Sequence, residues 1–169
     1  VPPAMVMNGL AIILSVFIMA PVAMDTADIV KSLPVPANPG PVEILDLADK
    51  ASPPLRKFLA ANSDEKVTNM FMGTARRIWP AERHDMITKD NLLIMVPAFT
   101  ISELTKAFQI GFVLYLAFVA IDLIISNILL AMGMMMVSPT TISLPFKLLL
   151  FVTLDGWLKI SQGLMLSYQ

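Results

Sequence analysis

Met132-Gly133-Met134-Met135-Met136-Val137-Ser138-Pro139 is the stretch on which the reading of this chain turns. Four methionines fall within five positions, between apolar segments at 107–131 and 146–166. Ser138-Pro139-Thr140-Thr141 marks a turn. Thioether side chains are unbranched, flexible and polarizable, so a cluster of them closes a gap without fixing one shape. Two readings follow: ordinary packing in an apolar bundle, or a soft closure at the tip of a helical hairpin. Both give an all-α, membrane-associated fold.

Composition agrees. Apolar residues make up 56% of the 169 and charged residues only 15%, against about 25% charged in a soluble domain. The net charge of −1 offers no basic field for nucleic acid. With no cysteine and a single histidine, His84, neither a metal site nor a cofactor is expected. Ser102, Ser126 and Ser161 are isolated hydroxyls on apolar segments with no histidine near them in sequence. No catalytic constellation emerges, and the chain is not expected to be an enzyme.

Working outward, three segments separate. Residues 1–23 carry no charge and read as one hydrophobic helix, with Pro2 and Pro3 at its start. Twenty helical residues span about 30 Å, one bilayer core. The opening Val-Pro-Pro lacks an initiator methionine and a basic leader, and reads as a chain whose natural start has been removed. Residues 24–91 hold ten acidic and nine basic residues. They read as a polar, mostly helical extramembrane segment, its balanced charges a solvated face. A proline-rich linker is expected at 34–41, short helices at 42–50 and 54–62, and Ser63 as the N-cap of the next helix. Val67, Met70, Phe71 and Thr74 recur at helical spacing in that helix. Residues 92–169 form the hydrophobic hairpin, with Pro97 bending its start, Gly111 as a flexure and a second arm at about 142–166.

Six ionisable side chains sit inside this apolar region: Glu103, Lys106, Asp122, Lys147, Asp155 and Lys159. Charges in such surroundings are costly unless paired. Glu103 with Lys106, and Asp155 with Lys159, lie at helical spacing for local pairs. Asp122 and Lys147 have no sequence neighbour of opposite charge. In one straight hairpin, Glu103 stands about 29 residues before the turn, roughly 40 Å along a helix, while Lys147 lies just past it. An ion pair between Glu103 and Lys147 is therefore expected across copies of the chain. The competing reading makes these charges a proton or metal-ion pathway in a conventional transporter or channel.

Longer motifs resemble one family. Pro-Ala-Phe-Thr-Ile-Ser-Glu-Leu-Thr-Lys-Ala-Phe-Gln-Ile-Gly-Phe at 97–112 is similar to the first signature of the FliP/SctR family, core export-gate subunits of type III secretion systems. The second signature is resembled by Phe-Val-Ala-Ile-Asp-Leu-Ile-Ile-Ser-Asn-Ile-Leu-Leu-Ala-Met-Gly-Met-Met-Met-Val-Ser-Pro at 118–139. It continues as Thr-Ile-Ser-Leu-Pro-Phe-Lys-Leu-Leu-Leu-Phe-Val-Thr-Leu-Asp-Gly-Trp at 141–157. Val-Pro-Pro-Ala-Met-Val-Met-Asn-Gly-Leu-Ala at 1–11 and Phe-Ile-Met-Ala-Pro-Val at 17–22 resemble the family's second hydrophobic segment. Two features depart from the family: its usual first hydrophobic segment is missing, and Ala117 stands where proline is common. The ending, residues 157–169, is closer to the injectisome branch (SctR) than to the flagellar one (FliP).

The resemblance implies a pore-forming subunit of a pseudo-helical export gate, assembled as a homo-oligomer, in this family a pentamer. Two smaller subunits, of the SctS/FliQ and SctT/FliR types, complete it. Needle or inner-rod proteins and unfolded exported proteins are the further partners. The gate sits in the bacterial inner membrane, in contact with lipid, with its core projecting into the periplasm. Met132, Met134, Met135 and Met136 are then the expected pore gasket, with Gly133 lending the tip backbone freedom. A transporter using the buried charges, or a bundle with no open state, remains the alternative.

Overall fold

A computed structural model describes residues 2–134 and 136–168. Every regular element among them is helical: α1 (Ala4–Ser32), α2 (Pro41–Ala51), α3 (Pro53–Ala61), α4 (Glu65–Ile78), a 3-10 turn (Ala81–Met86), α5 (Leu92–Ala131), α6 (Pro139–Thr153) and α7 (Gly156–Leu166). The chain divides into two compact units. One holds the residues up to Leu104 together with Tyr168, and the other Thr105–Ser167.

In the first unit, α1 runs nine residues past the uncharged stretch, through Asp25, Asp28 and Lys31. No glycine or proline interrupts 22–32. The helix stops where Leu33 turns extended, at φ −90° and ψ 144°, because Pro34 disfavours helical backbone in the residue before it. Its own Pro21 is tolerated inside the helix. α1 buries none of its residues and packs on α2 and α3.

Both short helices begin with proline at the first helical position, where the missing N–H costs nothing. Arg56 ties them down. Its Nε donates to Ser52 Oγ at 2.8 Å, one Nη to Asp49 Oδ1 at 3.0 Å, and the other Nη to the Asp90 carbonyl. The expected cap of α4 moves by one residue. Asp64 is the N-cap, its backbone extended and its carboxylate accepting from the Lys66 N–H at 2.8 Å. A carboxylate also suits the positive end of the helix dipole. Ser63 turns back to the Leu59 carbonyl instead. The Asp64 N–H donates to the Oγ of buried Ser102 on α5.

One packed cluster joins Ala75, Ile87 and Ile94, with Phe71, Met72 and Trp79 against it, and Ala51, Leu59, Met95 and Ala98 are buried besides. α4 turns Phe71, Met72 and Ala75 toward this cluster, its C-cap Trp79 joins them, and Met70 is 49% exposed. Asn91 caps α5, its Oδ1 accepting from the Leu93 N–H at 2.9 Å. α5 then continues for 40 residues, through Pro97 and Gly111. Pro97 sits in its second turn, where only one carbonyl loses its donor, so the helix does not break.

Two helices, α1 and α5, are long and apolar enough to cross a membrane. α6 and α7 pass that test only as a pair, bent by 57°. The second arm is therefore two helices rather than the single one expected at 142–166. The break lies at Asp155, whose backbone is left-handed at φ 51° and ψ 48°. Gly156 follows, and a Cβ there would stand 2.5 Å from the Phe151 ring. Phe151 meets Trp157 edge-on, with ring centroids 5.2 Å apart.

Two groups in the first unit make stability depend on pH. Tyr168 donates its hydroxyl to Glu103 Oε2 and stacks on Phe58, which meets Phe99. Burial, and then the Glu103 hydrogen bond, push the Tyr168 phenol up to about 12 from 10.0. A raised pKa contributes stability that is complete below the unfolded value and lost as pH rises through the folded one. Unfolding followed against pH should show a loss between about 10 and 12 that Tyr168→Phe abolishes, with one late-titrating tyrosinate absent from the variant. Glu65 has the opposite sign. Its hydrogen bond and charge contact with Lys89 hold the carboxyl below 4.5, so its smaller contribution disappears as pH falls through that lowered value.

Candidate functional site

The methionine turn is built by the end of α5. Gly133 takes φ +76°. Its N–H donates to the Leu130 carbonyl at 3.1 Å, and the Met134 N–H reaches the Leu129 carbonyl at 2.9 Å. This pair of bonds, with glycine in the left-handed position, is a Schellman end, and it satisfies carbonyls that the helix would otherwise leave open. Gly133 takes a left-handed backbone that the conformational freedom expected of glycine allows. Leu129 is buried under the turn. Pro139 then opens α6 at its first helical position.

The thioethers themselves point outward. Met132 is 60% exposed, Met134 42% and Met136 99%. Met135 lies outside the described residues. Backbone hydrogen bonds therefore hold the turn without help from the exposed thioethers.

Ten residues before Met132, an ion pair joins the two arms. Asp122 on α5 receives Lys147 Nζ at 2.7 Å on Oδ1 and 2.8 Å on Oδ2. Ser143 Oγ donates to the same carboxylate at 2.5 Å and is fully buried. Ser143 and Lys147 are four apart on α6, so one face of that helix supplies both donors. The Asp122 and Lys147 side chains keep 35% and 19% of their exposure. Sequence reasoning had left this pair without partners, because the contact spans a turn of unknown geometry. The i, i+4 spacing of Ser143 and Lys147 was the signal available.

The other expected site residues fall elsewhere. Glu103 accepts from Tyr168, a contact 65 residues apart that no local pattern announces. Lys106 is exposed on α5. Asp155 and Lys159 are exposed, and among the described residues their side chains form no ion pair. The left-handed junction at Asp155 takes its carboxylate off the helical path. His84 Nε2 lies 3.0 Å from the Trp79 carbonyl. Among the described residues no cluster fit to hold a metal exists, and no buried side-chain polar atom lacks a partner. What the site offers is a charge-fixed hairpin presenting soft apolar side chains at its tip.

The profile of the FliP family matches residues 1–164. The Yop proteins translocation protein R of Yersinia pestis is 52% identical over 169 residues, covering 99% of this chain and 77% of that protein. The virulence protein YscR of Salmonella typhimurium is 51% identical over 157 residues, covering 93% and 72%. The hypersensitivity response secretion protein HrcR of Ralstonia nicotianae is 43% identical over 171 residues, covering 100% and 78%.

The Schellman end predicts a graded response at position 133. A Cβ there meets open space, so only the left-handed backbone matters, at about 1–2 kcal/mol for an ordinary residue. Gly133→Val should lower the unfolding midpoint in detergent most, Gly133→Ala less and Gly133→Asn least. Equal effects from valine and asparagine would contradict the assignment.

Proposed function

The chain belongs to the FliP family, and on that premise we propose that it is a pore-forming subunit of the type III export gate, closed by its methionine turn. It is a component of the secretion apparatus in the SctR branch, not an enzyme, and its apolar helices suit a membrane-embedded part of that machine. The observation that carries the finer reading is the turn itself. Met132, Met134 and Met136 are exposed at a tip that backbone hydrogen bonds already hold. A ring of such tips from neighbouring copies excludes water and ions when empty, and yields to an unfolded polypeptide because thioethers repack easily. Met135 joins them by sequence.

Assembly follows from the same surface. α1 buries none of its residues, and Phe108, Phe112, Leu123 and Ile124 of α5 stand more than half exposed. Apolar area on this scale calls for lipid or for other chains. We assign it to copies of this chain, five by family precedent, to the two smaller gate subunits of the SctS/FliQ and SctT/FliR types, and to bilayer. Needle or inner-rod proteins and exported chains are the further partners. The site is the bacterial inner membrane, with the core projecting into the periplasm. A transporter reading would draw on Asp122 with Lys147 or Lys159. There the carboxylate is already occupied by Lys147 and Ser143, which leaves little for a coupling ion.

Alanine at Met132 and Met134–Met136 tests the closure. The substituted complex should assemble and export, yet leak small ions. A tight complex that still exports removes the gasket.

Charge reversal tests where Lys147 finds its partner once copies assemble. Pairing with Glu103 of a neighbouring copy requires Lys147 to leave Asp122. Breaking a partly buried pair costs between about 1 kcal/mol, as for an exposed pair, and about 3–5, as for a buried one. Lys147→Glu should weaken assembly. Recovery of complex yield by Glu103→Lys places the pair between copies, whereas recovery only by Asp122→Lys keeps it within the hairpin.

A further inference from the structure

The turn read as the gate's closure carries exposed thioethers, as does α1, whose Met5 is 85% exposed. Thioether sulfur reacts according to its exposure. Met136 is 99% exposed, whereas Met95 in the first unit is 3% exposed. The chain has no cysteine, so no thiol of its own intercepts an oxidant. We propose that Met132, Met134 and Met136 form an oxidation site for hydrogen peroxide, and that their conversion to sulfoxides turns a water-excluding closure into a hydrated, leaking one. The inference rests on the gasket reading of the same turn.

The step balances without a cofactor. A sulfur lone pair attacks one peroxide oxygen, an S–O bond forms and the O–O bond breaks. Sulfur gives up two electrons, and the departing oxygen leaves as water after taking the proton of the oxygen now bound to sulfur. The product is polar and a strong hydrogen-bond acceptor where the parent was apolar. The fold tolerates the change for a structural reason. The turn is held by the Gly133 and Met134 N–H groups bonded to the Leu130 and Leu129 carbonyls, and by glycine at φ +76°. None of these involves a thioether. Oxidation therefore alters what the tip presents and leaves the hairpin standing.

The test uses the assembled export gate in proteoliposomes, titrated with hydrogen peroxide, with peptide mass spectrometry and ion flux read together. A free methionyl peptide in the same solution reports the dose. The tip peptide should gain oxygen well before the peptide carrying Met95. Flux should rise severalfold in step with it, and methionine sulfoxide reductases of both stereospecificities should reverse both changes. A variant with leucine at Met132 and Met134–Met136 should stay tight at the same dose. A tip left unoxidised while the free peptide is consumed overturns the proposal, as does full tip oxidation with unchanged flux. The unoxidised alanine variant separates the two ideas. If it leaks while the sulfoxide form does not, only the oxidation site is lost. If both are tight, the gasket itself is lost and this inference with it.

Discussion

The bond between Asp122 and Lys147 is the constraint on which the hairpin depends. Two apolar helices can slide past each other with little change in buried area, since one leucine contact replaces another. An ion pair cannot slide. With Lys147 on both carboxylate oxygens and Ser143 on one, a shift of one residue on either helix leaves a charge without its partner in surroundings that solvate it poorly. The pair thus sets which residues reach the tip. Asp122, Leu129 and Gly133 are spaced along one helix, so fixing the first fixes where the last turns the chain.

What the chain holds together by itself is modest. Its first unit has a core of a few side chains, supplemented by polar ties through Arg56, Ser102 and Asn91. Its long helices keep their apolar faces open. That balance is the reverse of a soluble domain, where apolar burial comes first and polar ties follow. Here the polar contacts shape each unit, and the larger apolar term is left for the assembly and the bilayer.

Much of this was legible in the residues, and the misses have physical causes. Apolar runs without charge announced the long helices, whereas α2, α3 and α6 each start at a proline one to three residues before the expected boundary. The long motifs carried the family. The joint at Asp155 was missed although Asp-Gly is a turn dipeptide. The same aspartate sits four residues before Lys159, and the helical pairing was read in preference. The cap at Asp64 was missed because Ser63 beside it is also a good cap, and only backbone angles separate the two. The Asp122–Lys147 pair was invisible because its register depends on how many residues the turn consumes. Tyr168 on Glu103 had no signal at all, since nothing local links residues 65 apart.

The elbow at Asp155 and Gly156 bears on thickness. α6 and α7 have 15 and 11 residues, roughly 22 Å and 16 Å of helix at 1.5 Å per residue. Laid end to end they overrun a bilayer's hydrocarbon core. Bent by 57°, they measure about 31 Å along the axis of α6, close to one core of about 30 Å. The Phe151 ring stands where a Cβ at Gly156 would be and meets Trp157 across the joint, so only glycine leaves room for this contact at the elbow. Bent, the pair has the length of one hydrocarbon core; straight, it would exceed it.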